Sequence, residues 1–451
     1  MTPNSHLDSP PTAPSAETGS TAPHLQQSLK TREMKRILAS SFVGSAIEYY
    51  DFILYATAAS IVFNKVFFAN PDPAVAIFAS FATLAVGYVA RPLGGIVFGH
   101  YGDRIGRKKM LVLSMTMMGV ATMLVGLLPT TAQIGIAAPV ILVVLRVVQG
   151  IAVGGEWGGA ALMALEHAPK KQRGFATSFA NAGGPAGALL ATLVVSAVSA
   201  ATGENFLLWG WRIPFLLSAA LIVIGLLIRL KVTETPLFRQ LEQASEKRKI
   251  PLVEVLRHHR RAVALALVAT MSFYCCQGLL TVWGVSIAVE AGADRTGVLN
   301  WKAVGAVLTL IVTLWAARMS DRVGRRRMLV IGGVLGVVLA YPLLLLLNNG
   351  TLWGFAVALI VGQGIIQGLL YGPIGAFVAE QFPTSVRYTG ASLAYQGAST
   401  LGAGFTPMIA TGLLILGGGS TVLVAVFWAA VMLAGTIAVL VTKESSRKEL
   451  A

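Results

Sequence analysis

Charge is what this chain has least of. Only 12% of its 451 residues are Asp, Glu, Lys or Arg, while 55% are hydrophobic. An average soluble domain carries about 25% charged residues. A soluble fold of this length cannot cover its surface with so few charges, which excludes an ordinary water-soluble enzyme and points to a polytopic membrane protein. Cysteine is nearly absent: the two present, Cys275 and Cys276, are adjacent. Neighbours in a helix are poorly placed to bridge each other, so no disulfide framework exists. Histidine is scarce too, and His6, His24, His100, His167, His258 and His259 fall mostly at expected loops or tails. With no His cluster in an apolar run, no Asp-rich motif, no His-Glu-x-x-His and no serine nucleophile elbow, no metal, cofactor or enzymatic activity is expected. Residues 1–33 lack any apolar run and are rich in Ser, Thr, Pro and Gln. They read as a disordered tail, without the apolar core of a signal peptide.

What the chain has is long apolar runs. From Ile37 onward they recur at about 20 residues, enough to cross a ~30 Å hydrocarbon core. Twelve are read, at 37–61, 75–98, 109–128, 134–157, 174–200, 211–230, 262–289, 298–317, 328–347, 352–376, 389–415 and 419–442. The expected class is therefore an all-α polytopic membrane protein. A six-helix half at 34–230 and a second at 262–442 are joined by a basic central loop at 231–261, and a short tail at 443–451 follows. Gly is abundant at 48 residues, which suits close helix packing in lipid.

The formal net charge is +15, from 35 Lys and Arg against 20 Asp and Glu. In a soluble protein that excess would suggest nucleic acid. Here all the basic residues except Lys65, Arg91, Arg146, Arg212, Arg295 and Lys302 fall on the termini and the even-numbered inter-span loops. That asymmetry places both termini in the cytoplasm and removes the nucleic-acid reading, because the charges are scattered over separate loops.

An internal repeat supports the count of spans. Gly102-Asp103-Arg104-Ile105-Gly106-Arg107-Lys108 recurs as Ser320-Asp321-Arg322-Val323-Gly324-Arg325-Arg326. Gln149, Gly150, Gly154, Gly158, Glu166, Pro169 and Arg173 correspond at one offset to Gln363, Gly364, Gly368, Gly372, Glu380, Pro383 and Arg387. Two related halves with a solute site at their interface describe secondary transporters.

These residues carry a recognisable pattern. The segment from Gly99 through Asp103, Arg104, Gly106, Arg107 and Lys108 resembles the signature loop of the major facilitator superfamily, and its copy at 320–326 matches the second occurrence. Glu48-Tyr49-Tyr50-Asp51-Phe52, Arg91-Pro92-Leu93-Gly94-Gly95, Gln149-Gly150 with Gly154-Gly155-Glu156-Trp157-Gly158-Gly159, and Trp209-Gly210-Trp211-Arg212-Ile213-Pro214-Phe215 are similar to segments of its metabolite:H+ symporter family. That family includes uptake systems for shikimate, α-ketoglutarate, citrate and proline/betaine, and the first four spans resemble its shikimate-type members most. The resemblance covers about residues 36–442. It implies twelve helices in a major facilitator fold, alternating access and solute movement coupled to protons.

Charges inside spans are the sharpest signal, since each costs ~2.5–3.5 kcal/mol on insertion scales. The acids there are Glu48, Asp51 and Glu156. Glu48 and Asp51 are three apart and are expected on one face of the first span. Two close carboxylates in low dielectric cannot both ionise cheaply, so one is suited to loading and releasing a proton. Arg146, Gln149, Val153 and Glu156 fall at i, i+3, i+7 and i+10, a polar stripe on the fourth span, from which Arg146 and Gln149 are also expected to touch solute and Glu156 to join the proton coupling. Asp51 is expected to be the proton carrier, Glu48 the second candidate and Arg146 the switching partner; the competing role is a static ion pair joining two helices. Arg91 can bind a carboxylate bidentately, or snorkel to the surface. Pro92 beside it removes a backbone hydrogen bond and is expected to kink the span. Arg212, beside Trp209 and Trp211, reads as an interfacial anchor.

From the second half, Tyr274, Gln277, Gln363, Gln367, Tyr371, Tyr395 and Gln396 are candidates to line the cavity. For each one alone, interhelical hydrogen bonding is the favoured role. Trp157 can stack on a ring-shaped solute or simply pack. The two signature loops read as gates: Gly102, Gly106 and Gly324 permit tight turns, and Asp103 and Asp321 cap a helix or pair with Arg104, Arg107, Arg322 or Arg325. Glu166, Arg173, Glu380 and Arg387 are expected to join those networks. The leading expectation is a monomeric, proton-coupled importer of a small organic anion in the bacterial cytoplasmic membrane. An importer of zwitterions such as proline or betaine, and an efflux antiporter, are the alternatives. Gly183-Gly184-Pro185-Ala186-Gly187 partly resembles an antiporter motif and keeps the latter open.

Overall fold

The computed structural model describes residues 21–68, 72–105, 107–154, 173–230, 251–383, 386–442 and 444, with only the backbone path given at several helix ends. Twelve long helices are found among the described residues: α1 (Thr21–Ile61), α2 (Pro73–Ile105), α3 (Arg107–Leu127), α4 (Ala137–Gly154), α5 (Arg173–Thr202), α6 (Arg212–Leu230), α7 (Arg260–Glu290), α8 (Arg295–Val323), α9 (Arg325–Asn348), α10 (Leu352–Ala379), α11 (Thr389–Leu416) and α12 (Val422–Val441). Nine meet the length and apolarity that a membrane crossing needs, and α3 and α6 contain shorter apolar stretches, Val112–Leu127 and Arg212–Leu227. In α1 the polar run Glu48-Tyr49-Tyr50-Asp51 interrupts the apolar sequence. Large apolar side chains such as Leu124, Val144, Leu193, Leu227, Ile311, Val338 and Val426 are exposed outward, as a lipid-facing belt requires.

Local sequence fixes several ends. Asp294 starts α8 by accepting from Gly297 N at 2.6 Å, and Thr351 starts α10 by accepting from Gly354 N at 3.1 Å. The helix run extends beyond two expected boundaries. α1 begins at Thr21, inside the segment expected to be a disordered tail, because helix-forming Leu, Gln and Lys residues follow the Ser/Thr/Pro-rich start. Likewise Pro251–His258 is a helix within the expected central loop, leaving 231–250 outside the described residues. Pro92 sits within continuous α2. Gly102 also lies inside α2, not in a turn, and the second signature loop shrinks to Gly324, whose φ of +105° only glycine adopts freely. Gly106 lies outside the described residues.

Helix pairing repeats between the halves. α1 packs on α5, α2 on α4 and α3 on α6; α7 packs on α11, α8 on α10 and α9 on α12. The halves meet where α5 crosses α8, where α2 crosses α11, and where α1 meets α7, an arrangement that a two-fold rotation maps onto itself. The α2–α4 seam is a close one. A Cβ on Gly94, Gly150 or Gly154 would run into the carbonyl oxygens of Ile151, Gly87 or Arg91. Small residues let backbones approach this way in lipid, where helix association gains from van der Waals contact, with no hydrophobic drive between helices.

Twelve successive helices return the chain to the side on which α1 starts, so the start of α1 and the end of α12 share one end of the bundle, the terminal end. At the opposite, far end the halves are bonded together. Ser60 Oγ donates to Val282 O at 3.0 Å, Arg295 Nε donates to Ser199 Oγ at 2.9 Å, Ser196 donates to Asn300, and Asn64 and Lys65 both reach Glu290. Arg212 does not serve as an interfacial anchor alone: it donates to the carbonyls of Gly126 and Leu128, at 2.9 and 2.6 Å, and so caps the C-terminus of α3.

Candidate functional site

Two small adjoining cavities lie between the halves on either side of the α1–α7 contact. The first, towards α5, α8 and α10, is lined by Thr192, Gln277, Lys302, Thr309, Gln363, Gln367 and Tyr371 among others. The second, towards α2 and α11, is lined by Glu48, Phe52, Tyr88, Arg91, Tyr274, Tyr395 and Gln396. Tyr49, Ile53 and Gln277 belong to both and form the wall between them. Tyr371 Oη donates to Tyr49 Oη at 3.1 Å, and Phe273 stacks on Tyr371 with ring centroids 4.3 Å apart. Gly184 makes this possible, since a Cβ there would press on both tyrosines.

Glu48 and Asp51 separate. Three helical residues turn the chain through 300°, leaving 60° between the two side chains. Glu48 therefore looks into the second cavity, whereas Asp51 turns into the first half, towards Thr122 of α3 and Arg146 of α4, and lines neither cavity. Asp51 is 2% exposed; the Thr122 hydroxyl and the Arg146 guanidinium are the groups that face its carboxyl, and among the described residues it makes no close ion pair with Arg146 in this conformation. Arg146 is 1% exposed. Its Nη1 donates to Gln149 Oε1 at 3.1 Å, and Gln149 Nε2 donates to Thr122 Oγ1 at 2.9 Å. Its guanidinium lies 4.0 Å from the Tyr55 ring and 4.4 Å from that of Phe52, in space left by Gly87. Arg146 and Gln149, expected to touch solute, thus sit behind the cavity wall, because their stripe faces α1 and α3 and not the second half.

Arg91 takes the opposite position. It lines the second cavity, with its guanidinium 3.9 Å from Phe52 and 4.1 Å from Tyr88. Its Nη1 reaches Ser399 Oγ of the other half at 3.5 Å, while Nε has no partner. The Phe52 ring is shared by two guanidiniums, one facing the cavity and one facing Asp51. Such contacts stabilise a desolvated cation by up to about 2 kcal/mol without neutralising it. A carboxylate, an arginine open to solute, a second arginine and a second carboxylate are therefore arranged in sequence through one aromatic ring.

Tyr274, Gln277, Gln367 and Tyr371 line the cavities as expected of them. Three of the helices that carry the second-half lining residues contain π-helical turns, at Gly278–Trp283, Leu359–Gln367 and Thr400–Gly404. Such turns break the 3.6-residue register and re-aim side chains. Glu156, Trp157 and Glu166 lie outside the described residues, and the side chains of Asp103, Arg104, Arg107 and Arg173 are outside them too, as is any contact of Gly99. In the second half Arg325 pairs with Asp321 at 2.6 Å and Glu380 at 3.5 Å, bringing α8, α9 and α10 together. Arg387 Nε donates to Phe382 O at 3.1 Å. Arg322 is exposed and lies apart from this cluster. Two residues were missed. Glu444 accepts from the Arg325 and Arg326 backbone N–H groups at 3.2 and 3.0 Å, capping α9 where Asp321 was expected to. Lys302, 2% exposed, lines the first cavity; its signal was a charge inside a span, to which the sequence attached no role.

The family model of the Major Facilitator Superfamily matches residues 41–312 and 297–450. The chain belongs to that superfamily. Among its relatives in Escherichia coli K12, the inner membrane metabolite transport protein YhjE is 41% identical over 401 residues, covering 87% of this chain and 91% of that one. The shikimate transporter of the same organism is 39% identical over 427 residues, covering 93% and 97%. The proline/betaine transporter of Salmonella typhimurium is 34% identical over 396 residues, covering 85% and 78%. A solved structure of the xylose transporter XylE from E. coli, partially occluded and open inward, superimposes with a TM-score of 0.72 at 18% identity, over 93% of this chain and all of that one. The two six-helix halves are thus the superfamily fold, and the chain is a multi-pass membrane transport protein.

Proposed function

We propose that this protein is a proton-coupled symporter that imports a small organic anion across the bacterial cytoplasmic membrane, with both termini in the cytoplasm. The observation that carries the reading is the sequence of charges through Phe52. Arg91 offers a cation to a solute in the cavity, Glu48 lines the same cavity, and Asp51 with Arg146 lies directly behind. Protonation of Asp51 removes the negative charge facing Arg146, and an uncompensated buried arginine favours rearrangement of α1 against α4. Solute on Arg91 biases the same two helices. Proton and solute thereby act on one element, which is what coupling requires. The far-end bonds between halves describe the state closed to the outside, and their rupture alternates access. The basic loops support the orientation, and one chain encloses both cavities.

A second reading has its own observation. Tyr49, Tyr88, Tyr274, Tyr371 and Tyr395 come together from five helices, and an aromatic surround suits a quaternary ammonium. The test separates the two: uptake of labelled shikimate, dicarboxylates and glycine betaine into proteoliposomes under an inward proton gradient, with and without protonophore. The expected result is gradient-dependent accumulation of a carboxylate that collapses with protonophore and is lost in Arg91→Ala. Accumulation of betaine alone would replace the first reading by the second, and uptake indifferent to the gradient would remove proton coupling.

A further inference from the structure

The first cavity has a polar composition that the scheme above leaves unused. Among the described residues Lys302 is the one charged residue on its wall. An ammonium has three N–H donors, and among the described residues the Lys302 group uses one, to Thr57 Oγ1 of the opposite half at 2.7 Å. No salt bridge compensates it among the described residues. Around the same cavity the side-chain carbonyl oxygens of Gln277, Gln363 and Gln367 are buried without hydrogen-bond partners, the residues being 8%, 4% and 5% exposed. Each unpaired buried acceptor costs free energy that a native fold does not carry without use. Three at one cavity beside one uncompensated cation define a recognition pattern: an anion at one pole and hydrogen-bond donors at the other.

Small solutes donate through hydroxyls, amide N–H groups or ammonium groups, and an ammonium close to Lys302 would meet like charge. We propose that this chamber is a solute subsite for hydroxylated carboxylates, with Lys302 holding the carboxylate and the Gln277, Gln363 and Gln367 carbonyls accepting from hydroxyls. A solute lacking the hydroxyls leaves the three carbonyls buried and unpaired, so selectivity comes from rejection as much as from attraction. This subsite rests on the anion-importer reading and adds the residues that choose among anions. Lys302 also bridges the halves through Thr57, so solute entering the chamber competes for a bond that holds the far end closed.

Counterflow in proteoliposomes without a pH gradient tests it, since exchange needs no proton coupling. The probes are shikimate, which carries hydroxyls, and cyclohexanecarboxylate, which has a six-membered ring and a carboxylate but none. Wild type is expected to prefer shikimate at least tenfold. Lys302→Gln weakens both probes by roughly 10- to 100-fold and Lys302→Arg restores part of the loss, as expected for a hydrogen bond to a charged group. Gln363→Leu and Gln367→Leu each cut the preference by about fivefold while leaving cyclohexanecarboxylate unchanged. Should Lys302→Gln not survive purification, the two glutamine variants decide the matter through the preference ratio. Unchanged affinities in Lys302→Gln, or an intact preference in both glutamine variants, overturns the subsite and leaves the anion-importer reading standing. Failure of wild type to exchange either carboxylate sinks both.

Discussion

The two halves share a fold and divide the chemistry. Gln149 and Gln363 occupy the same place in the repeat, yet Gln149 is bonded to Arg146 and Thr122 inside its own half, whereas the Gln363 carbonyl stands unpaired at the cavity. Arg91 of the first half faces the cavity where the second carries Thr309, at the offset that relates the signature loops. The first half concentrates ionisable groups around Phe52. The second supplies amides and tyrosines on helices that contain π-helical turns, with Lys302 the single cation at the cavity among the described residues. Duplication preserved the packing surfaces, which are constrained at every turn, and left a few inward positions free to diverge. A symporter needs such asymmetry, because proton and solute are different ligands.

The comparison breaks first at coupling. Asp51→Asn is expected to reduce gradient-driven accumulation to the equilibrium level while counterflow persists, whereas Gln363→Leu keeps its proton dependence. Accumulation by Asp51→Asn equal to wild type would place coupling elsewhere. The next effect is on stability in the second half. Arg325→Ala removes a buried guanidinium that pairs with two largely buried carboxylates, Asp321 and Glu380, and should cost about 3–5 kcal/mol, read as a lowered unfolding temperature in detergent. Arg322→Ala, exposed, should leave it unmoved. Packing sharpens the contrast between halves. A Cβ at Gly150 meets the Gly87 backbone, while at the repeat position Gly364 it meets the movable Leu308 side chain. Gly150→Ala is expected to cost ~1–3 kcal/mol and Gly364→Ala clearly less; equal losses would show that the two seams are equally tight. The smallest effect is Glu444→Gln, which weakens the charge on the α9 N-terminus by about 0.3–1 kcal/mol, detectable as faster amide exchange at Arg325 and Arg326.

The sequence alone determined the twelve-helix, two-half architecture. Hydropathy and repeat spacing are one-dimensional properties, and a bilayer permits few solutions to them. It also marked the intramembrane charges, because a charge in an apolar run is conspicuous wherever it points. What it could not determine was direction. Whether Glu48 or Asp51 faces solute depends on 60° of rotation about α1. Whether Arg146 meets solute depends on how α4 turns against α1 and α3, and the π-helical turns that aim Gln277, Gln363 and Gln367 follow from packing across α7 and α10. Lys302 gains its place only when α8 is laid against α5 of the opposite half and its side chain reaches Thr57 of α1. A cavity is a set of distances between residues far apart in the chain, so the tertiary structure alone decided which of the few charges the solute meets.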